Sequence, residues 1–487
     1  MAPDLTPDQG IVAITTKSGR VVEFDQAMVE GAWGGKYPKR TYAVLHNDSL
    51  FATVNKDPYK IALADVQHLW IRVEEVDPYL TTVAVIGGVA VALLAMLAIF
   101  AASQTSSSTG SSCPSVYSWD GNRYVFDAEP YAGAISRGLE RDDLSALENL
   151  QVVDGSYRLR LANEMPETDC TNSVELCLLD HAPGQRVAAD AGGAFHDVTA
   201  ARPLRSATDE TGRDLRPWLE ATDKLIWEPA PEATADGGLR TEIVMSFPRP
   251  AGSERAKLVA NVSTGTWGAW MIRELLDLRG NQLPWFYGAI DGVPAAQDSL
   301  RAWNEREELF VLKVEVEEAD GWHVRGFLPG GGRAAENVVV PLDIRHVQGE
   351  ELRLRIRPPV GFWALNSFAV DYSPEGPLLD MKIVKPTSAV DDKGNDVLPQ
   401  LLAADEAYHV MPGTGNWASV VFPAPALEPG RARTIFLHSR GYYQLHLDTE
   451  HTPDAVRLEQ IANEPDAAAR FAVERFAQWR AERTQQR

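Results

Sequence analysis

From Leu80 to Ser103 the chain reads LTTVAVIGGVAVALLAMLAIFAAS, and no Asp, Glu, Lys, Arg or His occurs between Asp77 and Asp120. This apolar run exceeds the ~20 residues a helix needs to cross a bilayer. A helix satisfies its own backbone hydrogen bonds, which lipid cannot do, so Gly87 and Gly88 are tolerated in that setting. A core helix of a soluble protein seldom runs so far without a polar position. The stretch predicts one transmembrane helix over 80–103, and everything else is arranged before or after it.

Lys56, Lys60 and Arg72 precede the span closely, whereas the first basic residue after it is Arg123. Basic residues collect on the cytoplasmic side. The expectation is an uncleaved signal-anchor in the cell membrane, single-pass, with the N-terminus cytoplasmic and the C-terminal region extracytoplasmic. A cleavable signal peptide would be shorter and would follow a short basic segment. Ala84, Gly88 and Ala92 recur every four residues and place small side chains on one helix face, a transmembrane packing pattern that suits a homodimer.

Formal charge is −22, with 8 basic and 11 acidic residues up to position 79 and 38 against 57 after it. Both sides are acidic, which argues against nucleic acid as a partner, because a phosphate backbone calls for a basic face. The three cysteines, Cys113, Cys170 and Cys177, all follow the span. In an oxidising compartment they allow one disulfide and one free thiol. Their spacing offers no zinc cluster, and no cofactor motif is present.

Residues 1–9 read as a flexible tail. Residues 10–79 alternate apolar and polar side chains around Ser18-Gly19 and Asn47-Asp48, which predicts hairpins and a small barrel-like β domain. Residues 104–112 form a Ser/Thr/Gly linker. In SCPSVYSWDGNRYVFDAEPYAGA, two alternating segments flank the turn Asp120-Gly121-Asn122. Asp120, Asp127 and Glu129 are oxygen donors of the calcium-binding type, but such residues are more often turn formers and strand ends, and that is the reading adopted.

An internal repeat follows. DETGRDLRPWLEATD at 209–223 aligns without gaps with the segment from 391, where Asp209, Gly212, Asp214, Pro217, Leu219, Ala221 and Asp223 match Asp391, Gly394, Asp396, Pro399, Leu401, Ala403 and Asp405. YRLRL at 157 and LRLRI at 352 precede the two copies, and Phe247-Pro248 and Phe422-Pro423 follow them. The unit is a duplicated, β-rich one. Arg213 and Lys393 stand where a calcium loop needs ligands, so the element reads as a glycine turn with Asp214 and Asp396 capping a short helical turn. The division expected is a first β-rich unit at 113–290, a continuation at 291–375, a second copy at 376–462 and a C-terminal helix at 463–487. That helix carries Ala468, Ala472, Phe476 and Trp479 as one stripe,.

Over roughly residues 240–375 the strand pattern, ending in LRLRI and SFAVDY, resembles galactose-binding-like jelly-roll domains. The exported part, through SCPSVYSWDGNRYVFDAEPYAGA, YRLRLANEMPETD, FPRP and SRGYYQLHLD, resembles uncharacterised bacterial membrane-anchored or lipoprotein-like surface proteins. The resulting fold class is mainly β: a small N-terminal β domain, one transmembrane helix, duplicated antiparallel sandwich modules of jelly-roll type and a C-terminal helix.

Tryptophans concentrate in the middle of the exported part, and Trp267, Trp270, Trp285, Trp322 and Trp363 are the candidate ligand-binding residues, since aromatic faces stack on sugar rings. Filling of the core is the competing role. Asp180-His181 and His196-Asp197 resemble fragments of a hydrolase site, but no nucleophile signature accompanies them. The reading is a non-enzymatic envelope protein whose exported sandwiches bind a ligand, carbohydrate first, or an envelope protein. Two alternatives stay open: an envelope hydrolase acting on glycan, and a protein that transmits a signal across the membrane.

Overall fold

The computed structural model describes residues 10–17, 20–25, 28–30, 36–38, 43–46, 49–54, 56–72, 80–84, 113–223, 225–332, 334–376 and 380–485. The protein is mainly β, with antiparallel sheets in both of its compact units.

In the N-terminal unit, Gly10–Thr16 pairs with Val21–Glu23 and with Val66–Arg72, and Ser49–Val54 lies between Ala43–His46 and Asp57–Ala62. Ile14, Val22, Phe24, Leu50 and Val66 form the core between the two sheets. The alternation in the sequence is the cause: one face of each strand is apolar and the two faces meet.

One expectation needs correction here. Leu80–Ala84, the first five residues of the predicted span, form a strand antiparallel to Val66–Arg72, with Arg72 opposite Leu80 and His68 opposite Ala84. Thr81, Thr82 and Val83 are β-branched and fit a pleated surface better than a helix. Ala84 therefore does not share a helix face with Gly88 and Ala92, and those two residues, with the rest of the apolar run, lie outside the described residues. Among the described residues no helix is long and apolar enough to cross a membrane.

The larger unit holds two pairs of facing sheets, and their strand orders correspond. In the first sandwich a five-stranded sheet runs Tyr124–Ala128, Ser115–Trp119, Ser156–Ala162, Trp417–Pro423, Ser388–Asp391. In the second the order is Gly321–Pro329, Val311–Glu318, Glu351–Ile356, Ile243–Pro248, Ser206–Asp209. The facing sheets centre on Ala432–Leu445 beside Glu167–His181, and on Arg255–Thr264 beside Trp363–Asp371. Val116, Leu159, Leu176, Val420, Phe422 and Leu437 fill the first core, and Met245, Phe247, Leu258, Val314, Leu354 and Phe368 the second.

The two sequence copies are thus interleaved. Ser156–Ala162 and Glu167–His181, before the first repeated motif, pair with Trp417–Pro423 and Ala432–Leu445, after the second, and the strands just after the first motif pair with strands of 336–371. The second sandwich occupies the place of a hairpin loop in the first: Glu167–His181 and Asp380–Val384 are antiparallel neighbours, with Asp180 opposite Asp380, and all of the second sandwich lies between them. The hairpin 311–329, which shows no copy by identity, holds the position that 115–128 holds in the first sandwich.

The repeated motif has one geometry in both places. Asp209 Oδ1 accepts the amides of Thr211 and Arg213, and Asp391 Oδ1 those of Lys393 and Asn395. Gly212 and Gly394 take φ of 80° and 83°, which only glycine adopts without strain,. Asp214 and Asp396 each accept the amide two residues on, at 3.0 Å, as helical turns begin at Arg216–Leu219 and Leu398–Leu401. These carboxylates serve the backbone, as the capping reading expects.

Residues 266–307, assigned to β-rich units from the sequence, are helical: Thr266–Asp277, Leu283–Gly292 and Pro294–Glu307. Pro284 and Pro294 sit in the first turns, where a missing N–H costs nothing. Gly268 is required where the first of these helices meets the chain at Phe362, since a Cβ there would lie 2.8 Å from Phe362 Cα and O. The C-terminal segment forms Ala455–Asn463 and Ala467–Gln485. Its predicted stripe is buried at Ala468, Ala472 and Phe476. Ala468 and Ala472 join the second core, and Trp479 stacks on Phe476. The sequence left cysteine pairing open; Cys113, Cys170 and Cys177 are all free, buried thiols. Burial, then Glu175, pushes the Cys177 thiol up to about 11.

Candidate functional site

The five predicted tryptophans do not form one platform. Trp363 is only 1% exposed, with its indole N–H donating to Glu308 O at 2.8 Å, so it is a core residue and not a ligand site. Trp267 and Trp270, half-buried on Thr266–Asp277, lie 4.4 Å apart between centroids, and Trp267 meets Phe476 edge-on at 5.1 Å. They join helix to helix. Trp285 is 75% exposed with no aromatic partner among the described residues. Trp322 alone lies on a sheet face, with the Arg355 guanidinium 4.7 Å and that of Arg353 5.7 Å from its ring.

An aromatic face does exist, on the first sandwich. Tyr117 and Trp119 alternate along one strand, Tyr124 and Phe126 along the next, and the register sets Tyr117 opposite Phe126 and Trp119 opposite Tyr124. The pairs meet edge-to-face at 5.8 Å and 5.0 Å. On the following strand Arg160 lies opposite Tyr117, and on the next Ser419 lies opposite Arg160. The Arg160 guanidinium sits 4.4 Å from the Tyr124 ring and 4.6 Å from that of Trp417. Tyr124 OH and Ser419 Oγ are 3.4 Å apart, and Glu164 accepts hydrogen bonds from Tyr117 OH and Ser115 Oγ. Tyr117, Trp119, Tyr124, Arg160 and Trp417 are all half-buried.

The second sandwich repeats the central pair. Trp322 takes the strand position of Tyr124, and Arg355 that of Arg160. The difference is charge. Arg355 is neutralised by Glu315 at 2.7 Å and Glu242 at 3.4 Å, whereas no carboxylate reaches Arg160 among the described residues. Aromatic stacking with an arginine that no carboxylate neutralises among the described residues is the chemistry of sugar or planar-ligand recognition. The sequence did carry a signal for this face: in YSWDGNRYVF every second residue on either side of the turn is aromatic, and every second residue of a hairpin shares a face.

The hydrolase fragments serve structure. Asp180 is held by Arg433 and Lys382, and His181 is turned to Thr434 Oγ1 at 2.9 Å. His196 lies between Asp190 at 3.0 Å and Glu375 at 2.8 Å. Although burial opposes it, these two carboxylates raise its pKa above the ordinary value. Asp197 and its carbonyl hold Lys257.

A second unusual region lies at the opposite, polar end of the first core. Glu167 and Asp169 are fully buried on one strand, two residues apart. Burial raises both pKa values, and each carboxyl is a neighbour of the other's charge or of Glu129's. Burial also pushes Asp127 up to about 6, against hydrogen bonds from Ser118 and Asn149. A small cleft, lined by Cys113, Thr264, Ile272, Phe310 and Tyr443 among others, opens beside the pair where the helices meet this sandwich.

Compared with known protein families and with curated proteins, the sequence matches none.

Proposed function

We propose that the chain is a membrane-anchored, non-enzymatic envelope protein whose exported, jelly-roll-like sandwiches bind carbohydrate through the aromatic face of the first sandwich. The observation that carries the reading is Arg160 between Tyr124 and Trp417, without a carboxylate partner among the described residues, on a face where Tyr117 and Trp119 extend the aromatic surface. In an acidic chain a half-buried arginine without a counter-charge among the described residues is open to ligand hydroxyls and acidic groups.

The anchor in this reading runs from Val85 to Ala102, eighteen residues without a charge. As a helix they would reach about 27 Å, close to the hydrocarbon thickness of a bilayer. The basic residues before it favour a cytoplasmic N-terminus, and Gly88 and Ala92 are where a homodimer would pack. An envelope protein as partner is the second use of the same face. The hydrolase alternative calls for two acids facing one another across a cleft. Glu167 and Asp169 sit side by side on one strand, which favours binding over hydrolysis.

The test is a glycan array probed with the full chain in detergent micelles. Binding to a defined glycan class is expected, with Tyr124→Ala and Trp417→Ala each weakening it about tenfold or more and Trp270→Ala leaving it unchanged. A blank array, or Tyr124→Ala and Trp417→Ala variants that bind like the parent, would overturn the proposal.

A further inference from the structure

The helix Leu283–Gly292 has two opposite faces. On one, Leu283 and Ile290 are buried, Leu283 joins the apolar cluster that holds Cys113, and Phe286 and Tyr287 pack against that cluster. On the other, Trp285, Gly288, Ala289 and Gly292 follow one another at the three- and four-residue spacing that shares a helix face, and Val293 continues it as the helix ends,. Trp285 is 75% exposed and Val293 48%. Outside the helix itself, no atom of the described residues lies within 4 Å of the place a Cβ would take on Gly288 or Gly292. The surface between the two large side chains is therefore bare.

It is also uncharged. Between Gly280 and Gln297 the one charged residue is Asp291, and its carboxylate is turned to Gly138, whose amide it accepts at 2.7 Å. Arg279, the nearest cation in sequence, lays its guanidinium 3.4 Å from the centroid of the Phe286 ring, on the side that packs against the cluster. A sugar platform pairs its ring with polar side chains that bond the hydroxyls, and glycine, alanine and valine supply none here. A bare apolar stripe tipped by tryptophan suits a bilayer interface, where the indole sits at headgroup level.

The course of the chain favours a bilayer over a protein partner. Cys113 is the first described residue after the apolar run, and residues 103–112 separate it from the end of the anchor. Such a segment bridges at most ~35 Å, and a helix is about 10 Å across. The membrane surface is thus within that reach of Cys113, on whose cluster the helix is packed.

We propose that the face of Trp285, Gly288, Gly292 and Val293 docks on the outer surface of the bilayer that holds the anchor, an inference that rests on the anchored reading above. With no cation on the face, the contact is apolar insertion and not attraction to anionic headgroups. Held at two points, the anchor and this helix, the sandwiches keep one orientation to the membrane.

The measurement is spin-label accessibility in the full chain reconstituted into phosphatidylcholine vesicles. The native thiols are buried, so a nitroxide is carried by one introduced cysteine at a time: Trp285→Cys, Val293→Cys, or Val152→Cys as the reference. All three positions are exposed, and the fold is kept. Val152 precedes the strand Ser156–Ala162 at the end away from Cys113, since Ala162 lies opposite Ser115, and the strand's length puts it about 20 Å off,. Collisions with oxygen, which concentrates in lipid, relative to those with a water-soluble nickel chelate present on both sides, are expected to be several-fold more frequent at 285 and 293 than at 152, at low and high salt alike. Flotation of the vesicles reads the anchor separately. A chain that fails to float with them would overturn the anchored reading and the docked face together. A chain that floats while 285 and 293 stay as open to nickel as 152 would overturn the docked face alone. So would a ratio that falls to the reference at high salt, or dipolar broadening between labels at 285, the sign of a second copy on this face.

Discussion

Trp363→Ala is expected to destabilise the second sandwich by about 3–5 kcal/mol, the range for removing a large buried aromatic ring. The ring is fully enclosed in the core with Phe362, Leu365, Met271 and Ile356 as fellow members, and its loss leaves a cavity that two close-packed sheets cannot collapse to fill,. It also strands the Glu308 carbonyl, which accepts the indole N–H and follows directly on the helix Pro294–Glu307. The matching control is Trp285→Ala. That side chain is 75% exposed, and the change should stay within about 0.5 kcal/mol,. Chemical denaturation of the two variants separates them, and equal effects would remove Trp363 from the core.

The second large effect belongs to Asp180. Its side chain is 3% exposed and that of Arg433 6%. Arg433 Nε and Nη2 bind the two carboxylate oxygens at 2.6 and 2.8 Å, in a bidentate fork,. Arg433→Met leaves a buried carboxylate whose one remaining charged partner among the described residues is Lys382, at 3.2 Å and more than a third exposed. The expected cost is about 3–5 kcal/mol, because an uncompensated buried charge is worse than none. Adding Asp180→Leu to Arg433→Met should recover most of it. The pH dependence has a fixed sign. The Arg433 hydrogen bonds, and then those of Lys382, hold the Asp180 pKa below its ordinary value. The pair's stabilisation is therefore present above the unfolded-state value of about 3.9 and lost as pH falls through the lower folded value. Unfolding titrations should show the deficit of Arg433→Met narrowing below about pH 4. A deficit independent of pH down to acid unfolding would contradict the assignment.

What was legible in the sequence was whatever a local pattern dictates. The hairpin around Asp120-Gly121-Asn122, the capped turns at Asp214 and Asp396 and the buried stripe from Ala468 to Phe476 all follow from side-chain periodicity or from backbone amides two to four residues away. The pairing of strands was not legible in the same way. YRLRL and LRLRI are equivalent strands, but nothing in either says that Tyr157 will lie opposite Phe422, more than two hundred residues on. Interleaving of the copies is a long-range choice, made by the packing of two cores.

The candidate site was legible in half. Aromatic residues were the right class, and Trp322 lies on the corresponding face of the second sandwich. A search by tryptophan count leads instead to 266–307, where rings serve helix packing, and passes over Tyr124 and Arg160, whose partnership depends on strands distant in sequence. Glu167 and Asp169 were invisible for a related reason, since an acid in a strand is ordinarily a solvated one, and only the bulge before Ser173 turns this pair inward. The start of the apolar run at Leu80 misled as well, because its first five residues complete a sheet.

The central claim, that the sandwiches are displayed outside the membrane on an anchor beginning after Ala84, is tested most directly by cysteine labelling in intact cells. The three native thiols are buried and give little background. Ala64→Cys and Ser299→Cys place single exposed thiols before and after the apolar run. A membrane-impermeant maleimide is expected to label Ser299→Cys in intact cells and Ala64→Cys only after the cells are opened. Labelling of Ala64→Cys alone in intact cells, or of neither until lysis, would contradict an exported, glycan-binding body.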